Sequence, residues 1–210
     1  MTAAGYLRDG TEIYRQSFEI IRAEADLTRM PADLEAAAVR MVHACGMVDL
    51  VEDLAWSDGV GTVIRAALSG GATVLTDSTM LANGITRRRL SAQNRVWCTL
   101  TDPEVVAAAA ATGMTRSAAG VDAWGERLDG AVVAIGNAPT ALFRLLELLE
   151  AGGPRPAAII GVPVGFVGAA ESKRKLAQDA GDVPWLTVHG RRGGSAIAAS
   201  AINALASEHE

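Results

Sequence analysis

The pattern that most constrains the fold begins at Thr73, where short runs rich in β-branched residues alternate with stretches rich in alanine or leucine. Strands that alternate with helical segments are typical of βαβ units, in which the strands form a parallel sheet covered by helices. We therefore predict an α/β fold with a mostly parallel sheet of about five strands, a usual sheet size. The predicted strands are residues 73–76, 95–99, 131–135, 157–160 and 185–188.

The segment before this pattern is predicted to be helical. Residues 11–27 carry apolar side chains among charges at helical spacing, and Pro31 with Asp33 begins a second helix that reaches Ala44 and stops at Gly46. A chain of 210 residues is within the range of one α/β core, so we predict a single domain over residues 1–210.

The composition limits the classes of partner. A net charge of −5 argues against a general nucleic-acid binder, because neutralising phosphates requires a basic surface. No apolar run is long enough to span a bilayer, and residues 1–15 lack the apolar stretch of a signal peptide, so we expect a soluble protein and no membrane partner. Two cysteines without metal-ligand spacing favour a reduced, cytoplasmic setting.

Polar or glycine-containing sequences follow all five predicted strands. In an open parallel sheet, ligands bind outside the carboxyl ends of the strands, where helix N-termini offer N–H groups to anions. Function should therefore concentrate in these loops, although none has the glycine pattern of a dinucleotide site or a P-loop. The loops read TDSTMLANG, TDPE, GNAPT, GVPVGFVG and HGRRGGS.

Seven stretches, spread in order over nearly the whole chain, together resemble the precorrin-8X methylmutase family of cobalamin (vitamin B12) biosynthesis. They are YRQSF, RMVHACG, TDSTMLANGI, GMTRSAAG, IGNAPTALFRLLEL, IIGVPVGFVGAAESK and GRRGGSAIAASAINA. Where the family pattern is nearer TDTxMVxxGI, this chain has Ser78 and Leu81, which are mild changes. The resemblance implies a Rossmann-like or flavodoxin-like parallel sheet, no cofactor, and a homodimer with its active site near the subunit interface. It also implies an isomerase that converts precorrin-8X to hydrogenobyrinic acid, with His43 as the catalytic acid.

The chemistry is compatible with a single positioned histidine. A proton delivered to a conjugated macrocycle polarises it for methyl migration, and histidine has a reference pKa near working pH. Placement in the last turn of a helix, together with ligand carboxylates, is expected to favour the imidazolium form of His43. Without the resemblance, an ordinary histidine with a satisfied hydrogen bond would be the better interpretation of His43, and it remains so for His189 and His209.

The substrate has many carboxylate arms, so an acidic protein must assemble a local electropositive pocket. Arginine suits this task because its planar fork pairs with carboxylates. Arg40 lies three residues before His43 on the predicted helix, and Arg116 stands at a predicted helix N-terminus with donors from Thr115 and Ser117. We predict that these residues bind substrate.

Four further residues are weaker candidates. Thr86 and Arg87 follow the first strand's loop, but Arg87 begins a run of three arginines, and charge runs are usually solvated. Ser17 and Tyr14 lie three residues apart on one side of the first helix and offer hydroxyl groups, although a half-buried packing role fits Tyr14 as well.

Three rival functions remain open from the sequence. The nearest is a methylmutase that acts on a cobalt-containing precursor, as in the anaerobic route. A non-catalytic tetrapyrrole carrier is the second, and a flavodoxin-like nucleotide binder, suggested by fold alone, is the third.

Overall fold

The computed structural model describes residues 6–207, which form one six-stranded sheet with helices on both faces. The strand order is β1-β6-β5-β4-β2-β3, and every neighbouring pair is parallel except β1 and β6. The strands are β1 (Leu54–Trp56), β2 (Val74–Thr76), β3 (Val96–Cys98), β4 (Val132–Ile135), β5 (Ala158–Gly161) and β6 (Trp185–Val188). The α-helices are α1 (Gly10–Glu24), α2 (Glu35–Cys45), α3 (Val60–Ser69), α4 (Thr79–Gly84), α5 (Pro103–Thr112), α6 (Arg116–Asp122), α7 (Pro139–Glu150), α8 (Ala169–Asp179) and α9 (Ser195–Leu205). Three 3₁₀ turns cover Val48–Asp53, Arg87–Arg89 and Gly125–Leu128.

The two faces of the sheet bury different sets of helices. Alternate residues of a strand point to opposite faces, so in β4 Val132 packs in one core and Val133 in the other. The first core joins the sheet to α1, α2, α3, α4 and α9, and the second joins it to α6, α7 and α8. The fold is therefore a three-layer arrangement with the sheet in the middle.

All five predicted strands are present, and most begin one residue later than predicted. The sixth strand, β1, was missed because it precedes the alternating pattern of strands and helices and pairs antiparallel with the distant β6 at the edge of the sheet.

The N-terminal helical segment is confirmed, with shifted ends. The second helix begins at Glu35, after the predicted start, because the Asp33 carboxylate accepts a hydrogen bond from the Thr62 N–H of α3 at 2.9 Å and does not cap its own helix. The predicted stop is right: Gly46 adopts the left-handed conformation, with φ of 70°, that ends many helices.

Within residues 6–207, no helix is long and apolar enough to cross a membrane.

The strand order reverses between β2 and β4, which lie side by side although β3 lies between them in sequence. Such a switch point opens a crevice at the carboxyl ends of the strands. The loops after β2 and β4, with sequences TDS and GNAP, therefore meet there.

Candidate functional site

His43 lies in the last turn of α2, against the neighbouring helix α1. Its Nδ1 atom is 2.9 Å from the Ser17 hydroxyl oxygen, and its ring lies 5.2 Å from the Tyr14 ring and 5.3 Å from the Phe18 ring, measured between centroids. Tyr14, Ser17 and Phe18 share one side of α1, because residues three and four apart in a helix are neighbours. The predicted pairing of Tyr14 and Ser17 on one side of α1 is thus present, and it holds the histidine.

Two features of the unliganded protein oppose the imidazolium form of His43. Burial lowers the pKa of His43, and the positive charge of Arg40 lowers it further. Both effects act against the stabilisation of the imidazolium that we expected from the helix C-terminus. If neutral His43 accepts a hydrogen bond from Ser17 at Nδ1, the ring proton is on Nε2.

A cleft of about 540 Å³ near the histidine carries Tyr14, Arg40 and Thr86 of the predicted binding groups. Ser17 and His43 themselves line a separate depression of about 210 Å³. Tyr14 and Phe18 line the larger cleft and also contact His43, so their rings separate the histidine from this cleft. The Arg40 guanidinium carbon lies 5.3 Å from the centroid of the Phe18 ring. We call the larger cleft the arginine cleft; it is lined by Thr11, Tyr14, Arg15, Phe18, Arg22, Arg40, Thr86, Arg88, Arg89 and Asn203.

Among the three consecutive arginines, Arg88 and Arg89 line the arginine cleft, and Arg87, which we predicted to bind substrate, does not line it. Thr86 also lines the cleft, and its backbone N–H donates to the Asn203 side-chain oxygen at 2.8 Å. This contact ties the rim of the cleft to α9.

Several residues that line the cleft were not predicted. Phe18 and Arg22 continue the side of α1 that begins with Thr11 and Tyr14, so helical periodicity could have identified them. Asn203 is far from them in sequence and gave no comparable signal.

The second predicted group of binding residues lies on the other face of the sheet. Thr115 caps α6 as expected, with its hydroxyl accepting from the Ala118 N–H at 3.2 Å and lying 2.8 Å from the Thr140 hydroxyl. Arg116 is exposed and Ser117 is half-buried. Because α6 packs on α7, these residues do not meet His43 or the arginine cleft within one chain.

Two of the five loops are rich in glycine, GVPVGFVG after β5 and HGRRGGS after β6, and they pack on each other. A Cβ atom at Gly193 would overlap the carbonyl group of Val162, and the Gly194 N–H donates to that carbonyl at 2.9 Å. These glycines therefore permit close contact between two loops of the chain. His189 begins the second of these loops and is half-buried, and its backbone N–H donates to Asp53; His209 lies outside the described residues.

The comparisons with known proteins agree with one another. Residues 12–208 match the family model described as precorrin-8X methylmutase. The chain is 62% identical to the precorrin-8X methylmutase of Pseudomonas aeruginosa, over 98% of this chain and 99% of that protein. It is 38% identical to the cobalt-precorrin-8 methylmutase of Salmonella typhimurium, over 95% and 96% of the two chains. A crystal structure of the precorrin-8X methylmutase from Thermus thermophilus superposes with a TM-score of 0.86 and 38% identity, covering 94% of this chain and 95% of that one. The chain therefore belongs to the precorrin-8X methylmutase family and is an isomerase of cobalamin biosynthesis.

Proposed function

We propose that this isomerase acts on metal-free precorrin-8X and moves one methyl group between neighbouring carbons of the macrocycle to give hydrogenobyrinic acid. The observation that carries the proposal is the Ser17–His43 pair beside the arginine cleft, which combines an acid with a site for carboxylates. The metal-free substrate is favoured over the cobalt-containing one because the relative from Pseudomonas aeruginosa is far more similar than the one from Salmonella typhimurium.

In this proposal His43 is the general acid. A proton given to the macrocycle draws electron density towards it, so that the bond from the methyl group to one carbon can break while the bond to the next carbon forms. Substrate and product are isomers, so the proton returns and no other reactant is consumed. Ser17 holds the imidazole ring in place through its 2.9 Å contact with Nδ1.

The lowered pKa of His43 suits this role once substrate is bound. An imidazolium with a lowered pKa is a stronger acid, but it is less populated in the unliganded protein. Carboxylate arms of the substrate near His43 would favour the protonated form. Substrate binding would therefore charge the acid that the reaction needs.

The arginine cleft is proposed to hold the carboxylate arms. Five arginines line it in a protein with a net charge of −5. Two of them pair with acidic side chains, Arg15 with Glu12 and Glu19 and Arg22 with Glu35. Arg40 is the anchor nearest to the acid, and the Tyr14 hydroxyl and Thr86 add polar groups at the same cleft. Such contacts would fix the macrocycle next to His43 in the reactive geometry.

The visible spectrum provides a direct test of the reaction. Purified protein mixed with precorrin-8X is expected to change the absorption spectrum to that of hydrogenobyrinic acid, since the methyl shift alters the conjugation of the macrocycle. The cobalt-containing precursor, offered separately, is expected to react more slowly. Tight binding of precorrin-8X without a spectral conversion would favour the carrier function instead.

We further propose that the enzyme is a homodimer in which the two groups of binding residues meet across the interface. In a two-fold interface the same patch of both chains meets, and one part of the patch contacts another part of its copy. A patch that contains both groups would bring Thr115, Arg116 and Ser117 of one chain to the arginine cleft of the other. Exposed apolar side chains support an interface: Phe166 and Val167 are 84% and 89% exposed.

This assembly predicts that product and dimer stabilise each other. If the interface completes the site, hydrogenobyrinic acid should shift the monomer–dimer equilibrium towards the dimer, because a ligand stabilises the state that binds it. Sedimentation measured over a range of protein concentrations, with and without product, tests the linkage. A monomer that binds one equivalent of product at every concentration would contradict the shared site.

A cytoplasmic location is also proposed. Cys45 and Cys98 are both free thiols. Oxidising compartments favour disulfides, so the state of the two cysteines supports a reducing environment.

A further inference from the structure

The crevice at the switch point between β2 and β4 is occupied by a carboxylate of the chain itself. Asp77 directly follows β2, and its side chain is 4% exposed. Its two oxygens accept hydrogen bonds from the backbone N–H groups of residues 136, 137 and 138 at 3.0, 2.9 and 2.7 Å. These donors lie just before α7, at the place where related folds bind the anionic group of a ligand.

The turn that Asp77 holds is also packed against α9. A Cβ atom at Gly136 would lie 2.9 Å from the Cα atom of Ser195, which leaves no room for a larger residue. Next to Asp77, the Ser78 hydroxyl lies 2.9 Å from the Ser195 hydroxyl. The Asp77–Ser78 pair therefore joins the end of β2 to the beginnings of both α7 and α9.

Contacts lead from this junction to both groups of proposed binding residues. On one side, α4 follows Ser78 and leads to Thr86, which is fixed to α9 through Asn203. On the other side, α7 carries Thr140, whose hydroxyl contacts Thr115 beside Arg116. The two groups lie on opposite faces of the sheet, and Asp77 lies where the elements that carry them meet.

We propose that Asp77 is a positioning residue that sets the relative placement of these two binding groups, an inference that rests on the binding roles proposed for Thr86 and Arg116. The carboxylate takes the place that the anion of a ligand would have at the switch point. The crevice therefore connects the end of β2 to α7 and binds no ligand of its own. Hydrogen bonds to an ionised acceptor are stronger than neutral ones, and three of them fix the turn before α7.

Burial and the backbone donors have opposite effects on the charge of Asp77. Burial raises the pKa of Asp77, and the hydrogen bonds from the three backbone N–H groups offset only part of that rise. The ionised form of this buried carboxylate therefore depends on those donors. In Asp77→Asn, one of the two accepting oxygens becomes an NH₂ group. This group would face a backbone N–H donor, so at least one hydrogen bond would be lost.

The test compares Asp77→Asn and Asp77→Ala with the wild type. Both variants are expected to bind hydrogenobyrinic acid about threefold to tenfold more weakly and to raise KM by a similar factor, as for one or two lost hydrogen bonds, with kcat little changed because His43 is untouched. Sodium formate is the probe for the vacated position. It should restore product affinity in Asp77→Ala, where a small carboxylate fits, and should not improve binding by the wild type.

The controls separate positioning from stability and from the proposed anchors. Asp102 directly precedes α5, and its carboxylate accepts no capping hydrogen bond, so Asp102→Ala should leave affinity unchanged and show no effect of formate. Arg116→Ala is measured in the same titration. If Arg116→Ala weakens binding but folded Asp77→Asn binds as wild type, even with a lower Tm, the positioning role is overturned. A third result is that Arg116→Ala has no effect while the Asp77 variants bind weakly and Asp77→Ala responds to formate. Arg116 would then not be a binding residue, and Asp77 would position only the group that contains Thr86.

Discussion

Replacing His43 with alanine is expected to lower kcat by about 10²–10⁴-fold, the usual contribution of a positioned general acid. Product affinity should change little, because the arginine cleft rather than the imidazole is proposed to hold the carboxylate arms. The fold should persist, since His43 is partly exposed and lies at a helix end. Single-turnover conversion of precorrin-8X, followed by absorbance, measures the chemical step, and titration with hydrogenobyrinic acid measures binding.

His189→Ala is the matched control for this variant. His189 is also half-buried, and its described contact is made by its backbone N–H, which the substitution keeps. Its turnover should remain close to that of the wild type. Conversion at the wild-type rate by His43→Ala would remove this histidine from the mechanism and leave the cleft without an assigned acid.

Replacing Arg40 or Arg116 with alanine is expected to weaken product binding by about 1–3 kcal/mol each, the range for a lost charge-assisted hydrogen bond. This corresponds to roughly a 5-fold to 150-fold rise in Kd. Isothermal titration with hydrogenobyrinic acid measures the change. Thermal melting of Arg40→Ala is needed beside it, because the Arg40 guanidinium also lies over the Phe18 ring.

The control for the arginine variants is Arg174→Ala. Arg174 is an exposed arginine on α8 that pairs with Glu171 at 3.5 Å, away from the arginine cleft. Its loss removes the same charge from the protein without touching the proposed site. Equal Kd values for the wild type and both Arg40→Ala and Arg116→Ala would exclude these two residues as anchors.

The sequence was sufficient for most of the fold because the strongest signals were local. Each parallel strand is a short apolar run bounded by turn residues, and Gly46 ends α2 through its own backbone conformation. The missed strand β1 depends on a partner more than a hundred residues away. Pairing of that kind is decided by tertiary packing, which leaves no local pattern.

The candidate site was predictable to the extent that its residues share one helix. Helical spacing places Tyr14 and Ser17 together, while the role of His43 came from the family resemblance. Which of the three arginines line the cleft could not be predicted from the sequence, for a physical reason. They form a 3₁₀ turn, with three residues per turn, so consecutive side chains point in three different directions, and the sequence does not give the phase of the turn.

The antiparallel pairing of β1 with β6 has a consequence for how the chain reaches its native state. Leu54 pairs with Val188, and α2 packs against α9, the last helix of the described chain. Contacts between such distant segments carry a large loop-closure entropy and form slowly. During synthesis, α2 leaves the ribosome early and can contact α1, but α9, against which it also packs, is made much later. The arginine cleft, which Asn203 of α9 lines, is therefore completed late, and a chain interrupted before α9 would expose the apolar side of α2 to aggregation.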